Sequence, residues 1–413
     1  MALLESSMGR TINKASLIKS EFAKNLYLAG DPGAAQNAYL QLLKSTRYNA
    51  DLLALIVNDL IEAGAREFAL NLLIEALQST KPTVMLLNVI GQLAQKLNTH
   101  DVAIKIFRAA LNMNADQPSC YVNIANSQYL IGEIDAASET TQQALHFFPE
   151  HAPLWNMLGT ILLHGKNDHE NALKFYQEAA RLDPVSDVYL TNLANFYGTL
   201  PEGTELYKKA IKINSQNHEA HVGLGINYLA QGELKKGWRH KEHRLLMDSM
   251  TSKKARPELP APLWKGESLV GKSVFVIAEQ GLGDEIFYSL TLRQLTEVTD
   301  RICISCDPRL KGLFERSFPF AHVVPYEDTV ADGFISRRFP GIDAAPFRPE
   351  VSIWAASLPS IFWPELASIP QISATPFKPD PVQVDQYANA IKPGAKLKVG
   401  LAWRSGKQAF GRD

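Results

Sequence analysis

Residues 152–184 read APLWNMLGTILLHGKNDHENALKFYQEAARLDP, and this stretch decides the fold of the first part of the chain. Trp155, Leu158 and Gly159 open it with the spacing W-x2-L-G, and Pro184 closes it. Pro149 closes the stretch before it in the same way. Shared opening and closing residues indicate units of a repeat, so periodicity is the first property to examine.

Small residues recur through the first 250 residues with a period of 34. One column holds Ala35, Ala69, Ala103 and Ala137. A second column, seven residues after the last three of these, holds Ala76, Ala110 and Ala144. A third holds Gly30, Gly64, Asn98 and Gly132. Small residues let antiparallel helices cross closely, and glycine or asparagine tolerates a left-handed turn, so the columns predict helix–turn–helix units.

The pattern resembles the tetratricopeptide repeat (TPR), whose unit is a helix, a turn and a second helix. The resemblance implies seven units, which begin near Ser16, Ala50, Val84, Pro118, Ala152, Asp187 and His218. The fifth unit is one residue longer than the 34-residue period, and the sixth is about three residues shorter. We therefore expect local irregularity there. Stacked units of this kind bury a continuous core and leave a concave face.

In this family the first helix of each unit lines the concave groove. The repeat phase places five asparagines at groove-facing positions: Asn58, Asn88, Asn126, Asn156 and Asn195. An amide donates and accepts hydrogen bonds at once, so such a row suits an extended acceptor peptide. The alternative is that asparagine is simply tolerated on an exposed helix face.

Histidine and cysteine pairs raise the question of metal binding. His218 with His221, and His240 with His243, are three residues apart on predicted helices and share a face, but further ligands are not evident nearby. Cys303 and Cys306 lie in the apolar run RICISC, which predicts a strand. Side chains three apart on a strand point to opposite faces, so we predict structural roles and no metal site.

Composition excludes several classes of function. The 413 residues contain 42 basic and 43 acidic residues, which gives no basic footprint for nucleic acid or an anionic membrane. No stretch approaches the roughly 20 apolar residues of a membrane span. The first residues lack the pattern of a secretion signal, and three cysteines are too few for a disulfide framework. We therefore predict a cytoplasmic protein with no membrane span and no nucleic-acid partner.

The pattern of the chain changes after the seventh unit. Residues 251–270 are rich in proline and lysine and show neither helical nor strand periodicity, which predicts a linker. From Ser273 short apolar runs alternate with helical segments, which predicts a parallel sheet covered by helices. The predicted fold class is thus α plus α/β, with a repeat domain over residues 1–250 and an α/β domain over 271–395.

Four separated motifs in the last part of the chain are GWRHKEHR, APLWKGESLVGKSVFVIAEQGLGDEIFYS, VSIWAASLPSIF and KVGLAWRSG. Together they resemble a bacterial family in which TPR units precede a heptosyltransferase-like GT-B glycosyltransferase domain. The resemblance implies that residues 271–395 form the first Rossmann-like half of a GT-B fold and that residues 396–413 begin the second half. It also implies transfer of a sugar from a nucleotide-sugar to a hydroxyl of a protein acceptor, with flagellin-like proteins among the acceptors of this group, and no further cofactor.

The stretch AEQGLGDEIFYS, residues 278–289, joins a predicted strand to a predicted helix. Gly281 and Gly283 are placed to direct backbone N–H groups at an anion above the strand end. Ile286 stands where a third glycine would be needed, which disfavours dinucleotide binding.

Asp284 is the central residue of this stretch. The resemblance matches it to the base that deprotonates the acceptor hydroxyl, a role that suits a carboxylate within hydrogen-bond reach. The alternative is that Asp284 is only the helix N-cap, for which aspartate is favoured. Glu279 and Glu285 are neighbours that can replace it or raise its pKa by like charge.

The resemblance places Arg404 and Ser405 at the diphosphate of the donor, a role that suits an arginine fork, with help from Lys407. The alternative is a solvated loop. The second Rossmann-like half begins near Leu397 and the sequence stops at Asp413, so most of the donor site is expected outside it. Two hypotheses follow: a glycosyltransferase of which this is a fragment, and a non-catalytic TPR scaffold with a remnant α/β domain.

Overall fold

The computed structural model describes residues 12–79, 81–247, 255–279, 281–331, 334–369 and 377–390. Packing divides the chain into two compact units, one up to Tyr189 and one from Leu190 onward. Among the described residues no helix is both long and apolar enough to cross a bilayer.

The first unit is built from antiparallel helix pairs. Its helices are α1 (Lys14–Leu28), α2 (Pro32–Ser45), α3 (Ala50–Glu62), α4 (Arg66–Ser79), α5 (Val84–Lys96), α6 (His100–Met113), α7 (Pro118–Leu130), α8 (Ile134–Phe147), α9 (Ala152–Thr160) and α10 (His169–Leu182). Asparagine, aspartate or threonine caps several first turns, as at Asn49, whose side chain accepts from the Leu52 N–H at 2.9 Å. The predicted helix–turn–helix units are therefore present.

The two alanine columns form the contact between the helices of each pair. All seven predicted alanines are fully buried. Gly91 shows how close the helices come, since a Cβ on it would lie 2.6 Å from the Phe107 ring. Small side chains are thus a steric requirement of the crossing.

The turn column adopts the left-handed backbone that was predicted for it. Gly30, Gly64, Asn98 and Gly132 have φ between 65° and 87°. The structure adds Asn167, Gly198 and Gly232, which continue the column with φ of 56°, 58° and 79°. Every helix pair that the structure describes therefore turns through one left-handed residue.

The extra residue of the fifth unit is absorbed within its first helix. Residues Ile161–Gly165 form a π-helical turn directly after α9. A π-turn holds one residue more than an α-turn, so the residues on either side of it keep the packing positions of a regular repeat. The predicted irregularity thus lies in the helix and leaves the buried Ala172 in its column.

The second unit begins with helices and continues with two sheets. The helices are α11 (Asp187–Tyr197), which starts just before the unit, α12 (Pro201–Ile213), α13 (His218–Ala230) and α14 (Leu234–Lys241). The strands are β1 (Ala255–Pro257), β2 (Val274–Ile277), β3 (Ile302–Cys306), β4 (Ala321–Pro325), β5 (Glu327–Ala331), β6 (Phe334–Arg338) and β7 (Val351–Trp354). Between and after them lie α15 (Leu282–Ser289), α16 (Leu292–Leu295), α17 (Lys311–Ser317), α18 (Pro359–Phe362) and α19 (Pro381–Ala390).

The larger sheet has the strand order β4-β3-β2-β7, and all of its pairs are parallel. Every residue of β2 and β3 is buried, as expected for central strands that are covered on both faces. A smaller sheet has the order β1-β6-β5. The α/β class predicted for this region is thus observed.

The predicted linker, residues 251–270, is corrected by the structure. Part of it forms β1, which pairs in parallel with β6, and Leu263 forms a bridge to Ser352. These pairings join the segment to residues about 80 positions later, which local periodicity does not reveal. The segment is therefore part of the folded second unit.

The seventh repeat shares a hydrophobic core with the parallel sheet. Leu234 and Trp238 of α14 are buried in the same cluster as Val276 of β2 and Trp363. The Trp238 Nε1–H also donates to the Trp363 carbonyl at 3.0 Å. Apolar packing therefore continues from the last repeat into the α/β region, across the domain boundary predicted at residue 250.

Candidate functional site

The candidate site lies at the carboxyl edge of the parallel sheet. The chain runs from β2 to β3 and β4 on one side, and β7 lies on the other side of β2. In open α/β sheets ligands bind at such a reversal of strand order, outside the carboxyl ends of the strands. The topology therefore singles out the loops that follow β2 and β7.

The loop after β2 leads into α15, whose N-cap is Gly281. Gly281 has φ −131°, so it does not use the left-handed backbone of glycine. A Cβ on Gly281 would lie 3.2 Å from Asp284 Oδ2, whereas one on Gly283 would meet nothing within 4 Å. Gly281 therefore leaves room for the Asp284 carboxylate, and Gly283 leaves the helix start open.

Asp284 is the third residue of α15 and is exposed. The alternative that it is the N-cap is wrong, because Gly281 occupies that position. The first turn of a helix carries a partial positive charge that favours a carboxylate. The structure thus brings Gly281, Gly283 and Asp284 together at one solvent-facing helix start, and the role of base stays a prediction.

Glu279 lies at the same edge in a half-enclosed position. Its side chain is 15% exposed, and its Oε1 accepts the Ala356 N–H at 2.9 Å from the loop after β7. Burial raises the pKa of Glu279, Arg244 opposes the rise, and the charge of Asp284 adds to it. The charge of Asp284 thus acts on Glu279, whereas the suggested effect of Glu279 on Asp284 stays a prediction.

Glu285 faces the protein interior and does not replace Asp284. It is 3% exposed; its Oε2 accepts the Asp307 N–H at 2.8 Å, and its Oε1 accepts the Tyr326 hydroxyl at 3.1 Å. Burial is the main cause that raises the pKa of Glu285 to about 7. This carboxyl group joins α15 to the ends of β3 and β4.

A buried arginine supports the same edge from the smaller sheet. Arg337 is 3% exposed, and its guanidinium lies 3.5 Å from the centre of the Tyr326 ring. It pairs with Asp328 at 2.8 Å and donates to the carbonyl oxygens of Ala278 and Glu279 at 3.3 and 3.2 Å. Sequence reasoning missed this group, since β6 reaches the β2 end only through tertiary folding.

The predicted groove asparagines make hydrogen bonds to other repeat residues. Asn88 Oδ1 accepts the Cys120 thiol at 2.7 Å, and Asn58 Oδ1 accepts Lys96 Nζ at 3.0 Å. In the second unit Asn195 accepts the Tyr207 hydroxyl at 2.6 Å and donates to Glu219 at 2.9 Å. These contacts give Asn58, Asn88 and Asn195 structural partners. Asn126 and Asn156 are half-buried, and peptide binding stays a prediction for the whole row.

The two histidine pairs meet in one cluster between α13 and the end of α14, with His243 in the turn that follows α14. His218 Nδ1 lies 3.0 Å from His243 Nδ1, and His221 Nδ1 lies 2.8 Å from His240 Nδ1. The rings of His221 and His243 stack with centroids 3.6 Å apart. Within the described part of the chain no group of three or more His, Cys, Asp or Glu is arranged to hold a metal ion.

This cluster predicts an acid-sensitive stability. Burial is the main cause that lowers the pKa of His240 and His243 to about 4, and the neighbours His221 and Arg239 add to the effect. A folded-state pKa below the unfolded value of about 6.5 stabilises the protein above pH 6.5, and this stabilisation is lost as the pH falls through about 4. We expect wild type to lose about 1 kcal/mol more than a His240→Gln, His243→Gln variant over this interval, after discounting for solvent screening.

Urea unfolding at pH 7.5, 5.5 and 4.5 measures this difference. Arg239, the cation that acts on His240 and His243, is the same in both proteins. If the free energy of unfolding falls equally with pH in wild type and variant, His240 and His243 do not contribute to the pH dependence of stability.

The cysteine pair has the structural role that the sequence predicts. Cys303 and Cys306 are buried free thiols that belong to two different hydrophobic clusters, on opposite faces of β3. Burial raises their pKa to about 11 and 12. Protonated thiols on opposite faces form neither a metal site nor a disulfide. The predicted donor residues Arg404 and Ser405, with Lys407, lie outside the described residues.

Two stretches of the chain match family models of known repeats. Residues 86–117 and 122–187 each match a model described as "Tetratricopeptide repeat". These helix pairs are TPR units. The resemblance on which the repeat assignment rested is therefore confirmed, and TPR units form a protein-interaction scaffold.

Several known proteins are similar to this chain. Protein FlbA of Caulobacter vibrioides is 29% identical over 331 residues, which cover 76% of this chain and 54% of FlbA. Anaphase-promoting complex subunit 7 of Arabidopsis thaliana is 29% identical over 94 residues, 23% of this chain and 17% of that protein. The crystal structure of yeast Tom70 aligns with a TM-score of 0.44 and 22% identity, over 60% of this chain and 55% of that chain. The chain thus spans about half the length of FlbA.

Proposed function

We propose that the natural protein is a glycosyltransferase whose TPR groove captures a protein acceptor. A sugar would pass from a nucleotide-sugar to a hydroxyl of that acceptor, with Asp284 as the base. The TPR scaffold supports binding of a protein partner, and the motifs that resemble a GT-B enzyme support sugar transfer. The observation that carries the proposal is Asp284, an exposed carboxylate at a helix start beside the reversal of strand order.

The residues at this edge are proposed to have separate roles in the transfer. Asp284 accepts the proton of the acceptor hydroxyl as the oxygen attacks the anomeric carbon and the nucleotide leaves. Gly281 and Gly283 leave the first turn of α15 accessible, and its N–H groups and partial positive charge stabilise a nearby anion. Arg404 and Ser405 are proposed to hold the donor diphosphate. Flagellin-like proteins are the proposed class of acceptor.

The test is transfer by the protein purified from its source cells, with its intact mass measured first. Unmodified flagellin from those cells is incubated with each of a panel of nucleotide-sugars, and its mass is followed. An increase by one sugar residue that needs both the nucleotide-sugar and the protein supports the proposal. No increase with any donor contradicts it for this acceptor class.

The second candidate is a non-catalytic TPR scaffold with a remnant α/β region. It is favoured by the asparagine contacts, because side chains that brace neighbouring repeats maintain a binding surface without chemistry. A protein that binds flagellin and transfers no sugar would support this candidate.

Both candidates need the groove, and the asparagine row tests it. We expect the combined change of Asn88, Asn126 and Asn156 to alanine to weaken acceptor binding about 10- to 100-fold, because each lost hydrogen bond costs about 0.5–1 kcal/mol. Isothermal titration with unmodified flagellin measures the affinity. The control changes Gln142 and Gln143, exposed amides on the second helix of the fourth unit, to alanine. Equal affinity in the triple variant and wild type would remove the row from the binding surface.

A further inference from the structure

The last TPR unit supplies a charged residue to the carboxyl edge of the parallel sheet. Arg244 follows α14, in a short 3₁₀ turn of residues Glu242–Leu245. Its Nη2 lies 3.8 Å from Glu279 Oε1 and donates to Ser357 Oγ at 2.9 Å. One guanidinium therefore contacts both loops at the strand reversal, the loop after β2 and the loop after β7.

Arg244 is itself held in place by hydrogen bonds. Its Nη1 donates to Glu242 Oε1 at 2.5 Å, and the Ser357 hydroxyl donates to Glu242 Oε2 at 2.8 Å. The Arg244 side chain is 13% exposed. A guanidinium with several fixed partners in a shielded position has few alternative orientations, so Arg244 is held between Glu242 and Glu279.

Glu279 gains two favourable contacts from this arrangement. The Ala356 N–H donates to its Oε1 at 2.9 Å, and Arg244 offers the nearest opposite charge. Its backbone carbonyl accepts Arg337 Nη1 at 3.2 Å. Asp284 and Lys241 are the other charged groups that act on it. Two carboxyl groups, Glu279 and Asp284, thus lie near one end of α15, and Arg244 is a cation beside Glu279.

We propose that Arg244 is a positioning residue: it keeps Glu279 ionised beside Asp284 and so holds the Glu279 side chain in place. This inference rests on the proposed function, because Asp284 matters for catalysis only if sugar is transferred. The consequence is that the TPR part does more than bind an acceptor. Its last unit completes the electrostatics of the edge where the acceptor hydroxyl is to react.

The proposal predicts a change in the pH profile of transfer. Arg244→Met keeps the bulk of the side chain and removes its charge, so Glu279 should take up a proton at higher pH. Loss of an opposite charge at this distance raises the pKa of a carboxyl group by about one unit or more. We expect the acid limb of kcat to move to higher pH by about one unit, so that on this limb the variant is up to about tenfold slower than wild type at the same pH, with an unchanged KM for the donor.

Three variants separate positioning from a merely structural role. Arg244→Lys retains the charge, so its acid limb of kcat should lie close to the wild-type pH. In a Glu279→Gln background the group no longer titrates, so Arg244→Met should not move the limb. Trp238→Phe removes the hydrogen bond to Trp363, another contact between the last repeat and the α/β region, and should lower stability without moving the limb.

A measurement without turnover tests the inference even if no sugar is transferred. Selective ¹³Cδ labelling of glutamate, with Glu279→Gln to identify the resonance, gives the titration of Glu279 by NMR. We expect it to titrate at higher pH in Arg244→Met than in wild type. An unchanged titration overturns the inference, and so does an unmoved acid limb in an active enzyme. Absence of transfer by wild type together with a shifted titration would overturn the proposed function alone.

Discussion

Asp284→Asn is expected to lower the rate of sugar transfer by about 10²- to 10⁴-fold, the usual contribution of a general base. The amide keeps the size and shape of the carboxylate but cannot accept a proton at neutral pH. Asp284 is exposed and is not the N-cap of α15, so the loss of structure should be small. The substitution removes the interaction with the helix dipole, which costs about 0.3–1 kcal/mol, and the effect of the Asp284 charge on Glu279.

Single-turnover transfer to unmodified flagellin at pH 7.5 measures this effect, with thermal unfolding as a check of the fold. Asp300→Asn is the matched control, because Asp300 is an exposed aspartate just before β3, at the amino edge of the same sheet. It should retain the wild-type rate. If Asp284→Asn and Asp300→Asn transfer sugar equally fast, Asp284 is not the base.

The repeat part of the fold is predictable from the sequence because its rules are local and recur. Glycine or asparagine at the turn and alanine at the helix crossing each follow from one steric need, and the need returns every 34 residues. The left-handed φ of Asn98 shows that the turn, rather than glycine itself, defines the column. Asn167 and Gly198 do not fall on the 34-residue spacing of this column, because the fifth unit is longer and the sixth unit is shorter than 34 residues.

The place of the extra residue in the fifth unit does not follow from periodicity. An insertion can lengthen a loop or widen a helix, and both preserve the next alanine column. The π-turn at Ile161–Gly165 keeps Gly159 against the Tyr176 ring, where a Cβ would lie 2.9 Å from ring carbons. Whether the loop or the helix takes up the extra residue thus depends on this tertiary contact, which cannot be read from the sequence.

The candidate site was predictable in part for a similar reason. A strand, a glycine turn and a helix are contiguous, so Gly281, Gly283 and Asp284 could be placed together from the sequence. The supporting groups Arg244 and Arg337 are distant in sequence from the residues they contact. Arg244 bonds to Ser357, 113 positions away, and Arg337 to Ala278, 59 positions away. Such contacts depend on the order of the strands in the sheet and on the hydrophobic core that the last repeat shares with the sheet.

The packing of that last repeat carries the other large expected effect, Gly225→Ala. A Cβ on Gly225 of α13 would lie 2.8 Å from the backbone N of Lys241 and 2.9 Å from the carbonyl O of Gly237, both in α14. These are backbone atoms, so no side chain can rotate away and the two helices must separate. Overpacking of this kind costs about 1–3 kcal/mol or more, whereas alanine gains only about 1 kcal/mol of helix propensity.

We therefore expect Gly225→Ala to lower the free energy of unfolding by about 2 kcal/mol and Tm by about 4–8 °C. Urea and thermal unfolding at pH 7.5 measure the change. Gly312→Ala in α17 is the control, since its Cβ would meet only the tip of the Arg316 side chain at 3.2 Å and should leave stability unchanged or raised. Because α14 carries Trp238 into the core of the sheet and leads to Arg244, separation of the helices should also displace Arg244 from Glu279. Equal stability of Gly225→Ala and wild type would show that α13 and α14 do not pack as closely as the backbone distances indicate.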